Sequence, residues 1–281
     1  MKSFHIAHVI PEPKMHGLNG YKEVIETVEW GLQQLGHSVT YAVNEFSSEA
    51  TNIVFGAQVL PLDKLQSLPN DTIVYNFEQI RGITSLREEA KSYASRFQIW
   101  EYSQANMEAW SRLETRHPVK HVPVGYAPIL TRIPKVESED IDVLIYGLAC
   151  PTRLNLFYGL STRGVAVVFL SGIYGSARDE LISRSKIVLN VNMYEHSEIF
   201  EIVRTSYLMA NRKVVVSDRS PRSFIEPDIE HALKFAAFAD VGSEVMRLLD
   251  DPTERERLGD LGYEAIRRRD VVEILRSALE C

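Results

Sequence analysis

The sequence predicts an α/β protein made of two halves with one architecture, each a parallel sheet covered by helices. Three observations carry this reading. Strand-length apolar runs alternate with segments of helical period, the pattern of β-α-β units. The alternation stops at PILTRIPKVESED, a stretch of prolines and charges, and starts again beyond it. The 281 residues, 45% hydrophobic and 25% charged, suffice for two ordinary domains and leave no room for a long disordered tract.

Phe4 to Ile10 reads as a buried strand. The turn-rich MHGLNG follows, then a helix over Tyr21 to Leu35 with Val24, Ile25, Val28, Leu32 and Leu35 at helical spacing. Gly36 stops that helix as a C-cap does, and HSVTYAV supplies the next strand across the crossover that parallel pairing requires. NIVFGA, TIVYNF, FQIWEYS and KHVPVGY continue the half as strands, with helices over Ser85 to Ser95 and Ser103 to Glu114. Beyond the connection the expected strands are IDVLIYG, VAVVFLS, KIVLNVN, RKVVVSD and LKFAAF. The expected helices are Arg153 to Leu160, Ala177 to Ser183, Ile199 to Ala210 and Gly242 to Leu249. Thr253 to Leu279 is charged and helical, with Leu258, Leu261, Ile266, Val271 and Ile274 as its apolar positions. The domains expected are 1–127 and 128–281, with the last helix a candidate to pack back on the first.

The net charge of −7 argues against a surface that holds nucleic acid by general phosphate neutralisation, so an anionic ligand has to be gripped locally. Cys150 and Cys281 are too few for a disulfide framework, and no Cys/His cluster has zinc-ligand spacing. No apolar run approaches the roughly 18 residues of a membrane span. The apolar N-terminal stretch is broken by His5, His8 and Pro11. The expectation is a cytoplasmic protein without a membrane span.

Four segments carry a resemblance. HGLNGYKEVIETVEWGLQQLGHSVTYAV joins a glycine loop, a helix and a GH-x-V entry to the second strand. HVPVGYAP contains a P-x-G turn, and VLIYGLACPTRLNLFYGLSTRG is a strand, loop and helix with an early arginine. SEIFEIVRTSYLMANRKVVVSD places an acid before a helix, a turn and an apolar strand. In this order they resemble the GT-B glycosyltransferases with a glycosyl transferases group 1 type of C-terminal domain, over most of the chain. The resemblance implies two Rossmann-like domains whose parallel sheets face a cleft, the acceptor on residues 1–127 and the donor on 128–281. It implies transfer of a sugar from a nucleotide-diphosphate sugar, a UDP-sugar first, to an acceptor hydroxyl, retaining and metal-independent, with no cofactor. The commonest acidic motif separates two glutamates by seven residues, and that spacing from Glu198 lands on Ser206. Glu201 and Arg204, on the same expected helix, are read as sharing the work. Alternatives are a non-catalytic sugar-nucleotide-binding protein and a sugar-nucleotide epimerase. A dehydrogenase is disfavoured because MHGLNG is not G-x-G-x-x-G.

A sugar nucleotide offers a diphosphate, a diol and hydroxyls, and the sequence has a group for each. Gly17 and Gly20 either let backbone N–H groups approach a phosphate at a helix N-terminus or merely permit a tight turn. Arg153, just past the first strand of the second half, is placed to hold phosphate oxygens through its planar fork. Arg178, after SGIYGSAR, is a second candidate or a surface charge. Glu198 and Glu201 either accept hydroxyl hydrogen bonds or stabilise a helix start, and Arg204 either serves the site or pairs with Glu201. Asn190 and Asn192 end an apolar strand, where they bind ligand groups or make a turn. His16, Glu78 and Glu101 are the candidate bases, of which His16 joins Glu198 and Arg153 as the expected catalytic set. A retaining enzyme needs no such base if the leaving phosphate takes the proton. His5, His8 and His37 read as structural, and Met193 and Tyr194 as packing residues or sugar contacts. Asp140-Ile141-Asp142 has the form of a metal-binding DxD but precedes a strand, and reads as the solvated end of the connection. No metal site is expected. The acceptor, whether small molecule, glycan, protein or nucleic-acid hydroxyl, is not specified by these residues.

Overall fold

Parallel pairing dictates the layout of both halves, since each strand must be reached by a crossover. The computed structural model of the chain describes residues 1–11, 20–80, 90–193 and 199–280. Two units result: residues 1–127 together with the segment from Arg269 onward, and Pro128–Arg268.

In the first unit β1 (Ser3–His8), α1 (Lys22–Gln34), β2 (Ser38–Val43), β3 (Thr51–Phe55), α2 (Leu62–Ser67), β4 (Ile73–Asn76), β5 (Gln98–Glu101), α3 (Gln104–Trp110) and β6 (Lys120–His121) follow in sequence. The six strands pair in the order β2-β1-β3-β4-β5-β6, all parallel. Helix α1 buries Val24, Ile25, Val28 and Leu32 and ends at Gly36, whose φ of +79° lets His37 N–H donate to Leu32 O at 3.1 Å. Helix α2 was not expected: its six residues hold two leucines, too few to show a period. The expected helix over Ser85 to Ser95 falls largely outside the described residues, which begin again at Ala90 in helical conformation. Helix α3 is capped by Ser103 and stops at Trp110, short of the expected Glu114.

The second unit runs β7 (Ile141–Tyr146), α4 (Pro151–Ser161), β8 (Val167–Leu170), α5 (Ser176–Ser183), β9 (Ser185–Asn190), α6 (Ile202–Ala210), β10 (Val214–Asp218), β11 (Lys234–Ala236), α7 (Val241–Leu249) and α8 (Pro252–Arg267). Its sheet order is β11-β10-β9-β7-β8, again parallel throughout. Val143, Ile145, Ile187, Leu189, Val214 and Val216 pack one face against Val241, Val245, Leu248 and Leu258. Strands buried on both faces explain the near-continuous apolar runs. Helix α6 starts at Ile202 instead of Ile199, because Ile199 forms a parallel bridge with Phe224 and Phe200 N–H donates to Phe224 O at 3.3 Å.

The expected helix over Thr253 to Leu279 is two helices. Between them Tyr126 N–H donates to Arg269 O at 2.7 Å and Val271 N–H to Tyr126 O at 3.2 Å, so the backbone is diverted into a parallel bridge. Helix α9 (Val271–Glu280) then belongs to the first unit, and the boundary expected at 281 lies at Arg268. It packs on α1 at Gly31, where a methyl group would stand 2.7 Å from Leu275 Cδ1.

In each sheet the chain leaves its first strand for one side and returns on the other, so the order reverses between β1 and β3 and between β7 and β9. The carboxyl ends of strands at such a reversal are where open parallel sheets bind ligands.

Candidate functional site

The reversal in the second unit is flanked by the loops after β7 and β9, and charged groups gather there. Cys150 is extended at the N-cap of α4 and Pro151 occupies its first turn, which sets Arg153 over the sheet edge. Arg153 is buried, 5% exposed, and its guanidinium donates from Nε to Val191 O at 2.9 Å and from Nη1 to Leu148 O at 2.8 Å. Burial, and then the neighbouring charge of Arg204, lower its pKa to about 10.

Arg204, in the first turn of α6, donates from Nη1 to Asn190 Oδ1 at 3.1 Å, and its guanidinium lies 5.3 Å from the ring centre of Tyr146. Asn190 is fixed in turn by its Nδ2, which donates to Ser217 Oγ at 2.9 Å. The two arginines meet at Gly147, which has a φ of +130°. A methyl group there would stand 2.7 Å from Arg153 Nη1 and 3.2 Å from Arg204 Nη2. Among the described residues neither guanidinium forms an ion pair. Two like charges side by side repel, and carbonyls, an amide and a phenol ring orient them without cancelling their charge.

Arg178 is built differently. It is as buried as Arg153, but its Nε and Nη2 donate to Asp179 Oδ1 at 3.1 and 2.8 Å. It also stacks on Tyr207 at 4.9 Å and lies 6.0 Å from the Tyr146 ring centre, while Tyr207 OH donates to Asp179 Oδ2 at 2.7 Å. This ion-paired arginine lies near the same Tyr146 ring that Arg204 covers.

No protein-family model matches the chain. It is 24% identical over 237 residues, 80% of its own length and 76% of the other, to the uncharacterized protein L140 of Acanthamoeba polyphaga mimivirus. Its structure is similar to that of Anabaena HepE, solved in complex with UDP-glucose, with a TM-score of 0.64, 12% identity and coverage of 100% and 99% of the two chains. It is also similar to AviGT4, a glycosyltransferase involved in avilamycin A biosynthesis, at a TM-score of 0.58 and 15% identity over 100% and 96% of the chains. WaaG, a glycosyltransferase involved in lipopolysaccharide biosynthesis, matches at a TM-score of 0.60 and 9% identity over 98% of each. The chain has the GT-B fold.

Within this GT-B chain the expected site residues divide into three groups. Arg153, Arg204 and Asn190 are brought together at the β7/β9 reversal, with Asn190 spent on orienting Arg204. Asn192 lies beside them, its N–H donating to Asp218 Oδ1 at 2.9 Å. Glu201 sits exposed at the N-cap of α6, where its side chain makes no cap hydrogen bond, and its charge acts on Arg153 at longer range. The pairing of Glu201 with Arg204 does not form, because Arg204 turns to Asn190. Ser206 is buried, its hydroxyl donating to Val203 O at 3.1 Å. Gly20 adopts no left-handed backbone, and among the described residues a methyl group on it would meet nothing. Glu198, His16, Gly17 and Tyr194 lie outside the described residues. Met193 is half-buried.

Of the candidate bases, Glu101 is fully buried and takes four hydrogen bonds: from Trp110 Nε1 and Asn76 Nδ2 at 2.7 Å, and from Ser103 N–H and Asn106 Nδ2 at 2.9 Å. That is a carboxylate's full capacity, so Glu101 braces the residues after β4. Glu78, half-buried in that loop, accepts from Gln58 Nε2 at 2.7 Å and Tyr21 OH at 3.2 Å. His5, His8 and His37 contact Thr40, Tyr41 and Phe4. Asp140 and Asp142 pair with Arg184 and Lys186 at the amino end of β7, opposite the end that Arg153 and Arg204 flank.

Two residues escaped the sequence reading. Tyr146, the last residue of β7, carries Arg204, and Asp218, the last of β10, joins Asn192. Both are strand-end residues whose partners come from non-adjacent segments, so their signal appears only once the strand order is known.

Proposed function

We propose that the chain is a glycosyltransferase that binds a nucleotide-diphosphate sugar on its second unit and transfers the sugar to an acceptor hydroxyl without a metal. The observation that carries this is the convergence of Arg153 and Arg204 on Gly147, with neither guanidinium ion-paired among the described residues. A diphosphate is the ligand that such a pair suits, because its two negative groups relieve the repulsion and accept forked hydrogen bonds. In the transfer the bond between sugar C1 and the terminal phosphate oxygen breaks and the acceptor oxygen bonds to C1. The acceptor's proton passes to the departing phosphate, in the retaining manner. The guanidiniums then stabilise the charge that grows on the leaving diphosphate. The solved complexes of HepE with UDP and UDP-glucose make a UDP-sugar the first donor to test.

Calorimetric titration of UDP and UDP-glucose against the whole protein and its Arg153→Ala and Arg204→Ala variants checks this. Both variants should lose binding while retaining the unmodified thermal transition; unchanged affinity in both would end the proposal. One observation favours a second reading, binding without turnover: Ser206, where the commonest motif has its second glutamate, is buried and hydrogen-bonded to its own helix. Product analysis with a donor and an acceptor mixture separates the two.

A further inference from the structure

A single peptide group ties a cation to an anion at this site. The carbonyl of Val191 accepts from Arg153 Nε at 2.9 Å, and the N–H of Asn192, across the same peptide bond, donates to Asp218 Oδ1 at 2.9 Å. Standard peptide dimensions then put the Arg153 Nε and the Asp218 oxygen no more than about 8 Å apart, at opposite edges of one rigid peptide plane. Asp218 ends β10, beside β9 in the sheet, and is half-buried. Among the described residues no Lys, Arg or His forms an ion pair with it. Burial raises its pKa, against the opposing pull of Asn192 and Arg153. The arrangement offers acceptor lone pairs to a ligand and repels that ligand's phosphates.

We propose that Asp218, oriented by Asn192, accepts hydrogen bonds from a vicinal diol of the bound sugar nucleotide, while Arg153 and Arg204 hold its diphosphate. This rests on the nucleotide-sugar reading above and deepens it. A diol supplies two neutral donors, which satisfy a carboxylate without competing for the arginines' charge. Because the peptide fixes cation and carboxylate on opposite sides, the ligand is bound in one direction only. The diol belongs to the ribose or to the transferred sugar, and the experiment tells them apart.

Affinities of the whole protein and its Asp218→Asn and Asp218→Ala variants are measured by calorimetry for UDP, GDP and ADP. For whichever binds, the 2′-deoxy form and the glucose ester are added. Asp218→Asn keeps an oxygen for the Asn192 N–H, so it removes the charged acceptor and leaves the peptide anchored. If the ribose is read, the unmodified protein prefers the ribonucleotide to its 2′-deoxy form by about tenfold or more, and Asp218→Asn abolishes that preference. If the sugar is read, Asp218→Asn leaves both nucleotides alike and removes a similar factor from the glucose ester alone. Unmodified affinities for all three ligands in Asp218→Asn overturn the proposal even where Asp218→Ala loses the fold. An unmodified protein that binds no nucleotide overturns the nucleotide-sugar reading instead.

Discussion

Two buried charged groups stand at the carboxyl ends of the two parallel sheets, and they are completed in opposite ways. Glu101 in the first unit receives four hydrogen bonds and has no acceptor capacity left. Arg153 in the second donates to two carbonyls, faces Arg204, and keeps its charge uncancelled among the described residues. The first arrangement is a brace: it pins the loop after β4 through Asn76 and Asn106, both of which donate to Glu78 O. The second holds two cations side by side with no acid paired to either among the described residues. Burial alone does not distinguish a scaffold charge from a working one; the nature of its partners does.

The comparison breaks if the two groups respond alike to removal. The largest effect expected is on turnover: Arg153→Ala should lower kcat/KM for a donor that the protein accepts by about a thousandfold, roughly 4 kcal/mol of transition-state stabilisation, with little change in thermal unfolding. Glu101→Ala should do the reverse. It strands four buried donors and should cost the first unit about 3 kcal/mol by urea unfolding, while UDP affinity stays as it was.

Acidity sharpens the contrast. Burial pushes the Glu101 pKa from 4.5 up to about 7 despite its four donors. Between those values the folded protein keeps a proton that the unfolded chain releases, so stability falls as pH rises through the window, by about 3 kcal/mol in all. Glu101→Gln should flatten that slope. The smallest effect is at the meeting point of the arginines: Gly147→Ala, strained by a φ of +130° and crowded by both guanidiniums, should cost about 1–2 kcal/mol of stability and weaken nucleotide binding several-fold.

The fold was legible because its central strands are covered on both faces and most of its helices on one, so apolar runs and helical periods survive as separate signals. Arg153 was legible for the same reason, since a residue just past a strand lies at the sheet's carboxyl edge whatever the strand order. Asp218 and Tyr146 were not. Their importance depends on β10 and β7 both flanking β9, and no local pattern encodes which strands are neighbours. Which of its two expected roles Arg204 takes depends on where the helix starts. Ile199 is drawn into a bridge with Phe224, the helix begins later, and the arginine meets Asn190 instead of Glu201. The break after α8 was invisible because what diverts the backbone is Tyr126, far away in sequence.

The return of α9 has a consequence for biosynthesis. Gly31 on α1 and Gly125 before Tyr126 are both sealed by Val271, and Gly31 also by Leu275. In synthesis α9 therefore reaches α1 only after the whole of Pro128–Arg268 has been made. The second unit, continuous in the chain, is free to close before the first, whose two parts it separates.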